Sequence, residues 1–303
     1  MKLLDGSGGS TKGGAIYNVW KVAKKEKGFN PQIISGVSVS ALISVPFALG
    51  KFKELDSLFN TFTLDDIFKK SPINKKGGIT RKAALRALFG YPSLGTMESL
   101  EKLLKKLVTK EDFKYYQLNT SLPACYILAI DFKTTKRVLV NLQKVESYEA
   151  FIKYTIASAS IPVYSEGVKW DGKVLYDGGV RDHSIGYKIC QDFDITECIS
   201  VWSRPKKPVK NEEQESLLNK DWEDTNVVEV AERALEILQL DNSEQDEDKL
   251  EQICKDKNID IQFIHLPKVL TSLYDTERKR LNKLTEEGIK LARNKLKNGN
   301  SIK

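Results

Sequence analysis

Ser38 lies in the run Ser35-Gly36-Val37-Ser38-Val39-Ser40, between an apolar stretch of strand length and one apolar enough for a buried helix. A serine at such a junction is forced onto a sharp turn, its hydroxyl standing above the sheet near a helix N-terminus, which suits a nucleophile. Gly36 meets the GxSxG spacing, and Ser40 stands where the second glycine belongs. Upstream, Gly6-Ser7-Gly8-Gly9-Ser10 enters a helical pattern. It is no Walker loop, because Lys12 lies between Thr11 and Gly13, and no dinucleotide loop, because Thr11 takes the place of the third glycine. What remains is a run of unhindered N–H groups at Gly8, Gly9 and Ser10 that can hold an oxyanion, or a glycine turn needed only for packing. Downstream, Asp177 ends a strand and precedes Gly178 and Gly179, whose backbone freedom lets a carboxylate approach another chain segment. Taken alone, Asp177 reads as a structural hairpin acid. The two histidines are His183, a neighbour of the site or a surface residue, and His265, a core residue in an apolar strand. The order Ser38, Asp177, His265 matches an α/β-hydrolase triad, although only two strands fit before Ser38.

The elements that must position these residues follow from periodicity. A strand over Lys2–Asp5 leads through the glycine loop to a helix over Gly13–Lys27, stopped by Gly28. A strand over Pro31–Ser35 leads through Ser38 to a helix over Val39–Phe52. Both loops therefore sit at the carboxyl end of a strand, where open α/β sheets bind ligands. About residues 65–120 form a basic helical covering segment, with apolar faces at Leu85, Leu88, Leu100, Leu103, Leu104 and Leu107. Strands over Pro123–Phe132 and Arg137–Leu142 precede a helix over Tyr148–Ser158. A hairpin then turns at Asp171-Gly172, a type I′ signal, and delivers Asp177. A strand over Glu197–Trp202 precedes a mobile charged loop, 204–224. A helix over Val227–Leu238, an acidic stretch over Ser243–Asp248, a strand over Ile259–His265 and a helix over Asp275–Lys297 complete one domain, 1–297, with a frayed tail, 298–303.

Composition bounds the setting. A chain of 303 residues, 41% hydrophobic, can bury a large core. Of its net charge of +7, the excess lies in residues 1–100, with 15 Lys and Arg against 7 Asp and Glu. Such a bias attracts anionic surfaces or simply solvates a lysine-rich face. The four cysteines show neither zinc-site nor disulfide spacing, which fits reduced thiols in a cytoplasmic protein. No signal-peptide-length apolar run follows the N-terminus. The most apolar run, Ile33–Leu49, falls short of the roughly 20 residues that span a bilayer, so membrane contact is expected to be peripheral.

Taken together, Gly8-Gly9-Ser10-Thr11-Lys12-Gly13, Gly36-Val37-Ser38-Val39-Ser40, Ser158-Ala159-Ser160-Ile161-Pro162 and Asp177-Gly178-Gly179 resemble the patatin-like phospholipases. The resemblance implies a three-layer α/β/α sandwich with a mostly parallel central sheet. It implies hydrolysis of phospholipid acyl esters, of phospholipase A or lysophospholipase type, through a Ser38–Asp177 dyad and an acyl-enzyme. Gly8, Gly9 and Ser10 would form the oxyanion hole, supported by Lys12, Gly13, Gly36, Ser40, Gly178 and Gly179. No metal or cofactor is implied. The expected partners are a phospholipid or other acyl-ester lipid and a membrane surface, with no nucleic acid. Ser10 and Ser40 replace glycines of the family pattern. Two alternatives stay open: a non-catalytic lipid- or membrane-binding protein that keeps the fold, and a Ser-His-Asp esterase using His265.

Overall fold

Short apolar strands alternating with glycine-punctuated helices assemble into one eight-stranded mixed sheet. The computed structural model describes residues 1–69, 71–73, 80–206, 227–270 and 274–296. The remainder of the charged loop 204–224 beyond Lys206, and the tail 298–303, lie outside these residues. β1 (Lys2–Gly6) pairs in parallel with β2 (Ile33–Val37) on one edge and with β7 (Glu197–Trp202) on the other, and β8 (Asp260–His265) extends beyond β7. Strand order therefore reverses at β1, and its carboxyl end opens the crevice where such sheets bind ligands.

Alternation along the strands sorts the two faces. Leu4, Ile34 and Ile199 point into a core shared with α1 (Gly13–Lys25), α2 (Val39–Ala48), α8 (Tyr148–Ser158) and α11 (Arg278–Lys295). Leu3, Ile33 and Cys198 point to the opposite side, against α9 (Gly186–Asp192) and α10 (Val227–Asp256). Strands covered on both faces are buried along nearly their whole length, as parallel strands usually are. The result is a three-layer α/β/α sandwich. Between α2 and β3 (Ala124–Asp131) runs the covering segment, comprising α3 (Phe52–Thr61), α4 (Leu64–Ile67), α5 (Arg81–Leu88), α6 (Glu98–Leu107) and α7 (Lys110–Leu118). No helix among the described residues is long and apolar enough to cross a membrane.

β3 carries the topological feature that matters most. β2 pairs with it in parallel over Ala124–Leu128, whereas β4 (Arg137–Asn141) and β6 (Lys173–Asp177) pair antiparallel, over Tyr126–Ile130 and Ala129–Asp131. The overlaps put β4 on one edge and leave β2 and β6 to share the other. β2 ends at Val37 opposite Leu128, and β6 ends at Asp177 opposite Ala129. The two strands thus run toward each other along one edge and finish end to end. The hairpin of β5 (Val168–Trp170) and β6 turns on Asp171 and Gly172 with φ of 47° and 70°, both positive as a type I′ turn requires.

A buried acid ties the centre together. Asp5, fully buried on β1, accepts from the hydroxyls of Ser35 (2.6 Å), Ser200 (2.7 Å) and Ser184 (2.8 Å), so one carboxylate links β1, β2, β7 and the segment entering α9. Burial raises its pKa, and the three hydroxyls draw it back.

Two expectations differ in extent. The expected helix from Val39 to Phe52 is two, because Gly50, at φ 74°, breaks it. The helix at Val227 does not stop near Leu238 but runs through the acidic stretch to Asp256, because Ser243, Asp246 and Glu247 are buried against the sheet rather than solvated. At the α1–α2 contact, a Cβ on Gly13 would lie 2.2 Å from Val39 Cγ2. Gly13→Ala should destabilise the fold by about 1–3 kcal/mol, and Val39→Ala in the same chain should recover most of it in denaturant melts. An equal cost in both backgrounds would place the strain elsewhere.

Candidate active site

Ser38 occupies the junction between β2 and α2 with φ 57° and ψ −121°, a conformation a residue with a side chain holds only under constraint. The constraint comes from Gly36, where a Cβ would meet the Ser40 carbonyl carbon at 2.5 Å, so that only glycine lets the first turn of α2 fold back over the strand. The Ser38 N–H donates to Ser158 Oγ at 3.2 Å. Two residues after Ser38, Ser40 is fully buried and donates its hydroxyl to the Ser7 carbonyl at 2.7 Å, joining elbow to glycine loop. Room for that hydroxyl comes from Gly6, whose Cβ would lie 2.6 Å from Ser40 Oγ.

Asp177 faces Ser38 across the meeting point of β6 and β2. Its N–H donates to the Ser160 carbonyl at 2.9 Å, so the Ser158–Pro162 segment bonds both to the serine turn and to the acid. Asp177 Oδ1 accepts the Gly179 N–H at 2.7 Å. Gly178 allows the tight approach, since a Cβ there would fall 2.6 Å from the Leu128 carbonyl oxygen. Only 2% of Asp177 is exposed, and burial lifts its pKa to about 7, against the pull of the Gly179 N–H and the Ser38 hydroxyl. A carboxyl with that pKa can accept and return a proton near neutral pH.

The glycine loop is held by its carbonyls. The Gly8 N–H, expected among the oxyanion donors, is engaged by the His183 carbonyl at 2.8 Å. The Gly8 carbonyl accepts from Ser203 Oγ and, at 3.0 Å, from Ser7 Oγ. A trans peptide is planar with its C=O and N–H opposed, so holding the Gly8 carbonyl fixes the direction of the Gly9 N–H. The N–H groups of Gly9 and Ser10 take no acceptor among the described residues. Ser10 sits at φ 46°, where the family pattern has glycine. Lys12 bonds the Ser203 carbonyl through Nζ at 2.9 Å, bracing the loop from behind.

The two histidines part company. His265, on β8, bonds Glu247 at 2.9 Å and lies three strands from β2, about 14 Å at ordinary strand spacing. The structure does not bring it to Ser38. His183 is buried beside the glycine loop, its Nε2 3.2 Å from Ser203 Oγ. Because the Ser203 hydroxyl gives its proton to the Gly8 carbonyl, Nε2 must be the donor and Nδ1 the lone-pair nitrogen, which is buried without a partner. Burial, with Lys12 and Arg204 nearby, pushes the His183 pKa down to about 3, so the ring is neutral. Asp246 of α10 receives the N–H groups of His183 (2.7 Å) and Ser184 (3.3 Å), fixing the chain just after the Asp177-Gly178-Gly179 turn. Sequence reasoning missed Ser203 and Asp246: the one looks like the first residue of a polar loop, the other like part of a solvated acidic run.

Above the site lies a partly open cavity. Ser10, Thr11, Ser38 and Tyr274 are the polar residues on its wall, and the rest is apolar, including Leu42 of α2, Phe59 of α3 and Leu100, Leu103, Leu104 and Leu107 of α6. The covering segment thus walls the space in front of the serine.

Comparison with known proteins agrees with this architecture. The chain is similar to VipD from Legionella pneumophila in a crystal structure, with a TM-score of 0.52 and 11% identity, over 97% of this chain and 66% of that one, a likeness of fold. No curated protein matches it. The family model described as patatin-like phospholipase matches residues 7–184, a span that holds the glycine loop, Ser38 and Asp177. With more than half its length so matched, the chain belongs to the patatin-like phospholipase family.

Proposed function

We propose that this protein hydrolyses fatty-acyl esters of phospholipids, as a phospholipase A or lysophospholipase, with Ser38 as nucleophile and Asp177 as its base. The observation that carries this reading is a strained, buried-turn serine that lines an apolar cavity and is backed by a buried acid of pKa about 7. The apolar lining of the cavity suits an acyl chain. Asp177 takes the Ser38 proton as the hydroxyl oxygen attacks the ester carbonyl. The oxyanion accepts the N–H groups of Gly9 and Ser10, both unengaged by protein acceptors among the described residues. The departing alcohol receives the proton from Asp177, and water, activated by the same carboxylate, then cleaves the acyl–Ser38 ester. Ser203, supported by the Nε2–H of His183, acts as a positioning residue for the Gly9 N–H.

Ser38→Ala and Asp177→Asn should each lower release of fatty acid by about 1000-fold or more, and a fluorophosphonate should label the parent chain at Ser38. Undiminished hydrolysis by purified Ser38→Ala protein would refute the nucleophile. Because the base must be ionised, kcat/KM should rise with pH through about 7; a flat profile between acid and mild base would remove Asp177 from that role.

The same shift has a sign for stability. The folded Asp177 holds its proton more tightly than the unfolded group at 3.8, so its contribution is most favourable below the unfolded value and is lost as pH rises through about 7. Asp177→Asn should therefore be more stable than the parent at pH 8, by on the order of 1–3 kcal/mol, in calorimetry. An acid retained for the fold would give the opposite result. Ser203→Ala should lower kcat by about 10- to 100-fold while leaving KM nearly unchanged; a change confined to KM would place Ser203 in substrate binding instead.

A further inference from the structure

We infer that α5 and the turn after it, residues 81–92, form the surface through which this protein docks on an anionic lipid bilayer. In α5 the amphipathic pattern is turned outward. Leu85, Leu88 and Phe89, spaced to share one helical face, are 50%, 81% and 76% exposed, and Tyr91 is 55% exposed, while the inward face presents Ala83. Leu100 and Leu104 of neighbouring α6 do the reverse and are buried. A stripe of large apolar side chains left in water calls for a partner surface.

Charge selects the partner. Residues 81–92 contain Arg81, Lys82 and Arg86 and no Asp or Glu. Arg81 and Lys82, both exposed, lie one turn before Leu85 on the outward side. Cations bordering Leu and Phe fit the boundary between phosphate headgroups and acyl chains, where each kind of side chain finds its own solvent. Nucleic acid would satisfy the cations and leave the apolar stripe in water. The exposed Ile237 and Leu238 of α10 lie instead in a net-acidic stretch, since residues 232–244 carry four Asp and Glu against one Arg.

The patch is joined rigidly to the site. Arg86 stacks on Tyr91 at 4.5 Å and pairs with Glu166 at 2.9 Å. Leu94 and Gly95 donate their N–H groups to the carbonyls of Val163 (2.8 Å) and Tyr164 (3.0 Å), directly after the segment that bonds the Ser38 and Asp177 backbones. A bilayer held at α5 would lie on the same covering segment whose α3 and α6 wall the cavity. The choice of lipid over a protein partner rests on the acyl-hydrolase reading.

The test uses the full chain carrying Ser38→Ala, which spares the lipid, in sedimentation with vesicles of about three parts phosphatidylcholine to one part phosphatidylserine. Binding should weaken at high salt, and Leu88→Glu with Phe89→Glu should lower it by about tenfold or more. Ile237→Glu with Leu238→Glu, an equal charge change elsewhere, should leave binding unchanged. Both pairs are on the surface, and thermal melts confirm that each variant folds. Absence of vesicle binding by the parent, binding indifferent to the Leu88 and Phe89 changes, or equal loss in the α10 control overturns the inference. Hydrolysis of a soluble short-chain ester by the unsubstituted chain reports separately on the enzymatic reading, so either can fail alone.

Discussion

Everything at the site follows from two strands sharing one edge of β3. β2 arrives in parallel and stops at Val37, β6 arrives antiparallel and stops at Asp177, and their facing ends leave no room for a long connection between serine and acid. A loop alone would have to spend conformational entropy to bring the two groups together. Here the ladder hydrogen bonds of β3, a strand buried along most of its length, hold the spacing, and the Ser158–Pro162 segment crosses the gap with one hydroxyl and one carbonyl. The sheet is therefore the scaffold that holds Ser38 and Asp177 together, in a direct mechanical sense.

The electrostatic arrangement places opposing demands on the same region. Two of the acids buried near the sheet's ligand end, Asp5 and Asp177, are treated differently. Asp5 is surrounded by three serine hydroxyls and serves as a knot between strands. Asp177 receives one short backbone bond and the neighbouring Ser38 hydroxyl, so burial dominates and its pKa rises to about 7. The neutral His183 beside the loop contributes a directed N–H and no charge. An acid buried in this way costs local stability above neutral pH.

Much of this was legible in the residues. Gly36, Ser38 and the Asp177-Gly178-Gly179 turn announce themselves because tight backbone approach admits few residue types, and Asp171-Gly172 fixes a hairpin turn by the sign of φ alone. The eight strands follow the apolar runs closely. What stayed hidden was long-range pairing. Nothing local says that Ser203 reaches back to Gly8, that the Gly8 amide is claimed by His183, or that Asp246 turns inward to cap a chain segment more than sixty residues away in sequence. The outward face of α5 was hidden for the opposite reason: its periodicity is that of a core helix, and only tertiary context reveals that the core lies elsewhere.

The hydroxyl of Ser40 fills the space that a side chain on Gly6 would need, and Trp20 closes the rest of that pocket, its ring also 2.6 Å from where a Gly6 Cβ would stand. The two positions, one at the end of β1 and one inside α2, therefore divide a single small volume between them. The glycine at the strand end offsets the larger residue in the elbow, so the two segments fit as a sum of sizes.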